Sequence, residues 1–183
     1  MTRRHMLEFC GGAAAAGIGA GSGVAAAKPE RIKLGVCTYS FNAFQRRLAI
    51  SMIRQLKVKY VSVKDFHISY YADAGEIARA KAAFQKAGLT IVSGGAIPLQ
   101  DQDAAALRKY FEYARACGMP MIVVAPTHKT LDTVEKLAGE FDIQVAIHNH
   151  GPEDEHFPTP KSVLDAVKGR TRGWGCAWIS VIR

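Results

Sequence analysis

From Arg31 onward, short apolar runs alternate with longer stretches whose apolar positions recur at helical spacing. The first run, Ile32 to Thr38, leads into a loop at Tyr39-Ser40-Phe41-Asn42, and a helix is predicted over about Leu48 to Leu56. A second strand, Tyr60 to Val63, ends in Lys64-Asp65-Phe66-His67. A helix over Ala74 to Ala87 closes at Gly88, a residue suited to a helix C-terminus. Strand three is Leu89 to Ser93, stopped by Gly94-Gly95. A helix over about Asp103 to Cys117 follows, with Asp103 as its N-cap. Strand four is Met121 to Val124, helix four runs from about Leu131 to Phe141, and strand five is Val145 to Ile147. A fifth helix starts near Pro160, with Thr159 as cap.

Strand centres recur roughly every 25 to 30 residues, the size of one βα unit. Continuous apolar strands between amphipathic helices imply a parallel sheet covered on both faces. An open doubly wound sheet and an eight-fold barrel both satisfy that pattern. No Gly-x-Gly-x-x-Gly follows strand one, so a dinucleotide fold lacks its fingerprint.

The polar chemistry collects after the strand ends. The densest stretch is His148-Asn149-His150-Gly151-Pro152-Glu153-Asp154-Glu155-His156. Strand side chains alternate, so His148 and His150 share a face and Asn149 takes the other. Imidazoles and carboxylates at the mouth of a buried strand suit a divalent metal or a polar substrate.

Composition and charge narrow the classes. The 183 residues carry a formal net charge of +8. Arg3, Arg4 and Glu8 lie in residues 1–27, and without that segment the charge is +7; without Arg172 and Arg183 as well it is +5. No basic run interleaves with aromatics, so a nucleic-acid partner is not expected. The four cysteines, Cys10, Cys37, Cys117 and Cys176, show neither a disulfide framework nor metal-ligand spacing.

Residues 1–27 stand apart from the strand–helix pattern. Thr2-Arg3-Arg4-His5-Met6-Leu7 resembles a twin-arginine export motif. A weakly apolar Gly/Ala stretch and Ala25-Ala26-Ala27, an Ala-x-Ala cleavage site, follow it. This predicts an exported, periplasmic protein with no membrane association once the signal is removed.

Three strings carry a family resemblance. They are Gly35-Val36-Cys37-Thr38-Tyr39-Ser40-Phe41, Val63-Lys64-Asp65-Phe66-His67, and Ile147-His148-Asn149-His150-Gly151-Pro152-Glu153-Asp154 with the following Phe157-Pro158-Thr159-Pro160. Together they resemble the sugar phosphate isomerase/epimerase family. The resemblance implies a (β/α)8 TIM barrel of the xylose isomerase-like type, with about the first five βα units here, over residues 28–170. It implies a small-molecule sugar or sugar derivative as partner and a divalent metal, Mn, Mg, Zn or Co, at the C-terminal mouth. Proton movement at the carbon next to a carbonyl would be the chemistry. On that basis His150 is the candidate metal ligand and, with Lys64, a candidate catalytic residue; His67, His148 and Glu153 are candidate substrate contacts. Tyr39, Phe41 and Phe66 are candidate walls of a sugar pocket. Two departures stand out: the end of strand four reads Val124-Ala125-Pro126 with no acid, and strand two ends in Lys64 where many relatives carry an acid. A metal-dependent nuclease of the AP endonuclease type and a non-catalytic sugar-binding pseudoenzyme are the alternatives.

The segment 171–183 breaks the pattern and holds both tryptophans, Trp174 and Trp178. Inserting one base into a back-translation restores the strand that the resemblance leads one to expect, Asp-Pro-Arg-Met-Gly-Val-Cys-Val-Asp-Ile-Gly-His-Pro. The tail is therefore expected to be out of frame, with strands six to eight missing and strands one and five as open edges. Such a chain would be inactive and poorly stable.

Overall fold

The alternation of apolar runs and amphipathic stretches resolves into six strands and five helices in a computed structural model that describes residues 33–171 and 173–177. The strands are β1 Gly35–Cys37, β2 Tyr60–Val63, β3 Thr90–Ile97, β4 Met121–Val124, β5 Gln144–His148 and β6 Trp174–Ala177. Between them lie α1 Arg46–Gln55, α2 Ala74–Lys86, α3 Ala104–Cys117, α4 Leu131–Phe141 and α5 Pro160–Val167. Every strand pairs in parallel with its neighbour in sequence, giving the order β1-β2-β3-β4-β5-β6. Sequential parallel order is the signature of a closing βα barrel rather than a doubly wound sheet, whose order reverses.

Strand alternation separates two environments. Val61, Val63, Ile122, Val124, Val145 and Ile147 are fully buried, in one cluster with Ile53, Ala80, Phe84, Leu107, Phe111, Val134 and Leu137 of the helices. The alternate positions of β2 and β4, Tyr60, Ser62, Met121 and Val123, are only half-buried. Burial pushes the Cys117 thiol up to about 11, so it serves as a small core residue rather than a nucleophile.

Helix ends follow local chemistry. Asp73 and Asp103 accept from the amides of Glu76 and Ala105, at 2.7 and 3.0 Å. Thr159 and Ser162 exchange side-chain and backbone bonds in a capping box, with Pro160 in the first turn of α5. Gly118 ends α3 in the left-handed conformation.

Three expectations change. Helix α1 begins at Arg46, two residues early, because the extended Gln45 supplies the carbonyl that Leu48 and Ala49 bond. Strand β3 runs through Gly94-Gly95 to Ile97 instead of stopping there. A Cβ on Gly94 would come within 2.5 Å of Met119 Sδ, and one on Gly95 would run into the Val123 carbonyl. These glycines permit close strand contact; they do not break the strand.

The third change is at the far end. Trp174–Ala177 pairs with Val145–His148, so among the described residues the edge strands are β1 and β6, not β1 and β5. The approach to β6 is held to α4: Arg170 reaches Glu135 at 2.7 Å and Asp132 at 2.9 Å, and the Thr171 amide donates to Glu135 at 2.7 Å. The leader read over residues 1–27 lies outside the described residues, as do 178–183. Among the described residues no helix is long and apolar enough to cross a membrane.

Candidate functional site

A sequential parallel sheet brings every strand's C-terminal end to one rim, so the residues after β1, β2, β4 and β5 all lie along it. After β2, the Lys64 amide donates to Thr38 Oγ1 at 2.9 Å, which ties the first two strand ends together. The Lys64 side chain is 18% exposed, with Nζ 3.3 Å from the Ala96 carbonyl and 3.7 Å from Asp65 Oδ1. Tyr39 and Phe66 stand out at 59% and 44% exposure, their rings 6.2 Å apart. Phe41 instead packs against the core.

His67 turns inward. It is 2% exposed, and its Nε2 lies 3.0 Å from the Phe44 carbonyl, which can only accept. The proton is therefore on Nε2, and Nδ1 is a buried acceptor without a partner. Burial lowers the His67 pKa, the Phe44 bond opposes that, and the nearby Arg46 charge adds to it. Its other contacts run to the Phe66 ring and, through its carbonyl, to Arg46.

After β5, the alternation places His148 and His150 together as expected, with ring centroids 4.2 Å apart. His150 is exposed, and its Nδ1 sits 3.0 Å from Asp154 Oδ2. That carboxylate can only accept, so Nδ1 carries a proton and donates to it, which leaves Nε2 as the ring's other polar atom. Asp154 is itself fixed: its Oδ1 accepts from the His156 and Phe157 amides at 2.9 and 3.0 Å. Burial pushes the Asp154 carboxyl up, but the bonds from Phe157, His156 and His150 outweigh it, and the group lies below its ordinary value. His148 Nδ1 is buried without a partner. Burial, then the His150 and Lys64 charges, hold His148 below the usual imidazole range, with Asp154 opposing. The Lys64 ammonium thus acts on the His148 ring although β2 and β5 are not neighbours in the sheet.

The remaining candidates are peripheral. Glu153 is exposed and folds its carboxylate over Gly151, where a Cβ would lie 2.9 Å from it. Gly151 has φ +124°, a conformation open to glycine. His128 Nε2 bonds the His156 carbonyl at 3.1 Å, which docks the loop after β4 onto the loop after β5. Asn149 leaves its buried Oδ1 without a partner. Asp154 is the residue that sequence reasoning left in an acidic run without a role. Its one signal was the spacing to His150 across Gly151-Pro152.

A divalent metal needs several donors that converge. Among the described residues no three His, Cys, Asp or Glu side chains do so. His148 and His150 are two imidazoles, one already bonded to Asp154, and the charge that acts on His148 from the end of β2 is a cation. The described residues therefore do not fit a complete metal centre.

No family model matches the chain, and no curated protein matches it. Solved structures do. An uncharacterised protein from Parabacteroides distasonis is 24% identical, with TM-score 0.69 over 81% of this chain and 65% of its own length. A xylose isomerase-like TIM-barrel protein from Mycobacterium smegmatis, solved in complex with magnesium, is 12% identical, with TM-score 0.58 over 79% of this chain and 63% of its own. The 3-keto-D-glucoside 4-epimerase of E. coli is 13% identical, with TM-score 0.58 over 75% and 64%. The chain thus spans less than two thirds of the length of each of these structures. With its six parallel strands in sequential order, the chain has the fold of a partial xylose isomerase-like TIM barrel.

Proposed function

We propose that the rim formed by Lys64, His148 and His150 is a sugar isomerase/epimerase-type site. It binds a sugar or sugar derivative and moves a proton at the carbon next to its carbonyl. The observation that carries this reading is the His148–His150 pair, 4.2 Å apart, with His150 oriented by Asp154. A neutral imidazole with its proton on Nδ1 presents Nε2 as a base, and the carboxylate behind it stabilises the imidazolium that results. Lys64 offers a positive charge to the oxygen on which negative charge develops. Tyr39 and Phe66 supply exposed aromatic faces beside it. His67 supports the site from below by fixing the loop that carries Phe66, and Glu153 lies at the lip.

Solved structures of sugar epimerase and xylose isomerase-like proteins with this fold support the substrate class. A divalent metal is part of the family resemblance, and His148 and His150 are its nearest donors. Since the described residues do not complete a centre, no step here runs through it. The acid-free end of β4, Val124-Ala125-Pro126, favours a second reading, a sugar binder with little or no turnover. We place the protein outside the cytoplasm, on the strength of the leader at residues 1–27.

The test is proton exchange. Incubate the full chain with aldoses and ketoses in D2O, with Mn²⁺ or with EDTA, and follow loss of the proton next to the carbonyl by NMR. Exchange abolished by His150→Gln supports the isomerase reading. Sugar binding without exchange selects the second reading, and neither binding nor exchange overturns both.

A further inference from the structure

We infer that His128, on the loop after β4, is a positioning residue for the His150–Asp154 pair: its bond to the His156 carbonyl fixes the peptide group whose N–H holds Asp154. The inference rests on the isomerase-type reading above for its effect on turnover, and on the hydrogen bonds alone for its effect on His150.

A continuous line of polar groups carries it. The His156 carbonyl can only accept, so His128 Nε2 is a donor to it at 3.1 Å. That carbonyl and the Phe157 N–H are the two ends of one planar peptide group. The Phe157 amide donates in turn to Asp154 Oδ1 at 3.0 Å, beside the His156 amide at 2.9 Å, and Asp154 Oδ2 accepts from His150 Nδ1 at 3.0 Å. A bond accepted at a carbonyl polarises the amide and makes its N–H a better donor. His128 thus acts on Asp154 through one rigid group.

The donor is itself held on two sides. Its ring centroid lies 4.9 Å from that of Phe157, a core residue 1% exposed. Two residues on, the buried Thr130 hydroxyl accepts from the Thr127 amide at 3.0 Å and donates to the Leu99 carbonyl at 2.8 Å, just past the end of β3. The loop that carries His128 is therefore anchored at β3 before it reaches the loop after β5. A neutral imidazole holds its proton on either nitrogen, and the hydrogen bond it makes decides which. An Asp154 that swings away releases that choice, and with it the Nε2 lone pair that the isomerase-type reading uses.

Heteronuclear NMR of the full chain, at one fixed alkaline pH, reads the His150 tautomer from its ring nitrogens and the Phe157 bond from amide hydrogen exchange. His128→Phe keeps a ring against Phe157 and removes the donor. His128→Gln keeps a donor at the Nε2 position and removes the ring. The expected result is that His128→Phe speeds exchange at the Phe157 amide about fivefold or more and shifts His150 toward its Nε2–H form, while His128→Gln restores both. In the D2O assay His128→Phe should lower kcat for proton exchange about tenfold with KM little changed, and His128→Gln should recover most of it. Should His128→Phe fail to fold, His128→Asn takes its place: its amide stops short of the Nε2 position, and the same contrast with His128→Gln is expected. A His150 tautomer and a Phe157 amide that His128→Phe leaves unchanged overturn the proposal. Losses in His128→Gln as great as in His128→Phe also overturn it, because packing on Phe157 rather than the bond would then hold the loop. Absence of sugar exchange in the unaltered chain removes the isomerase-type reading, and the His150 spectrum still decides the positioning.

Discussion

The loops after β2 and β5 each carry a histidine within a few residues of the strand end, and the two histidines have opposite fates. His67 is enclosed, bonded to the Phe44 carbonyl twenty-three residues away in the chain, and leaves its second nitrogen buried. His150 is exposed, bonded to a carboxylate four residues on, and leaves its second nitrogen free. The chemistry of the ring is the same in both. The difference lies in what receives the proton: a carbonyl in a closed loop for His67, and a carboxylate at an open lip for His150. Position at a strand end thus does not fix whether a histidine faces solvent or the core.

The sharpest way to break this contrast is to remove each ring. If His150 is the base, His150→Gln lowers the proton-exchange rate about 10²–10⁴-fold while stability moves by less than about 0.5 kcal/mol. Urea unfolding of the variant alongside an NMR exchange assay separates the two effects. A large loss of stability would make His150 a brace like His67. Conversely, His67→Ala is expected to cost about 2–4 kcal/mol, since it empties a buried site and leaves the Phe44 carbonyl unpaired. A midpoint unchanged in urea would show that the enclosure of His67 does not hold the loop.

Acid provides a finer test. Burial keeps the folded-state pKa of His67 and of His148 below 6.5. Above pH 6.5 both rings are neutral folded and unfolded, and they make stability independent of pH. Below it the unfolded chain takes up protons that the folded chain refuses, so stability falls as pH drops toward the folded values, by at most about 1.4 kcal/mol per pH unit per ring. His67→Gln and His148→Gln should each flatten that slope in thermal melts between pH 7 and 5. Stability that rises on acidification would contradict the burial of both.

The smallest effect concerns the frame rather than the rings. The β5 loop ends at the capping box of α5, so Thr159→Ala is expected to cost about 1 kcal/mol and to leave the His150–Asp154 bond in place. Hydrogen exchange at the Ser162 amide would report the lost cap.

Much of this arrangement is legible from sequence because it is local. The helices α2, α3 and α4, the strands β2 and β4, and the caps at Asp103 and Thr159 all follow from spacing and cap chemistry within a few residues. So does the pairing of His148 with His150, which strand alternation alone dictates. What escaped the sequence depends on partners far along the chain. The enclosure of His67 needs Phe44, and the run of β3 through two glycines needs Met119 and Val123. The sixth strand needs a parallel neighbour in β5 and the grip of Arg170 on Asp132 and Glu135, none of which the composition of Trp174–Ala177 announces. Asp154 was visible as a residue and invisible as a partner, because its reach to His150 depends on the turn at Gly151.

Gly94 and Gly95 have a consequence that reaches beyond the strand they permit. The carbonyl that receives Lys64 Nζ belongs to Ala96, the next residue, and Tyr70 Oη also points to it at 3.5 Å. A side chain at 95 must push β3 away from the Val123 carbonyl, and the Ala96 carbonyl moves with it, whereas one at 94 displaces the end of the Met119 side chain first. In a mutational map position 95 would therefore behave like a member of the rim, intolerant of even one methyl group, although it carries no side chain. The address of the ammonium is written in a residue that has no side chain.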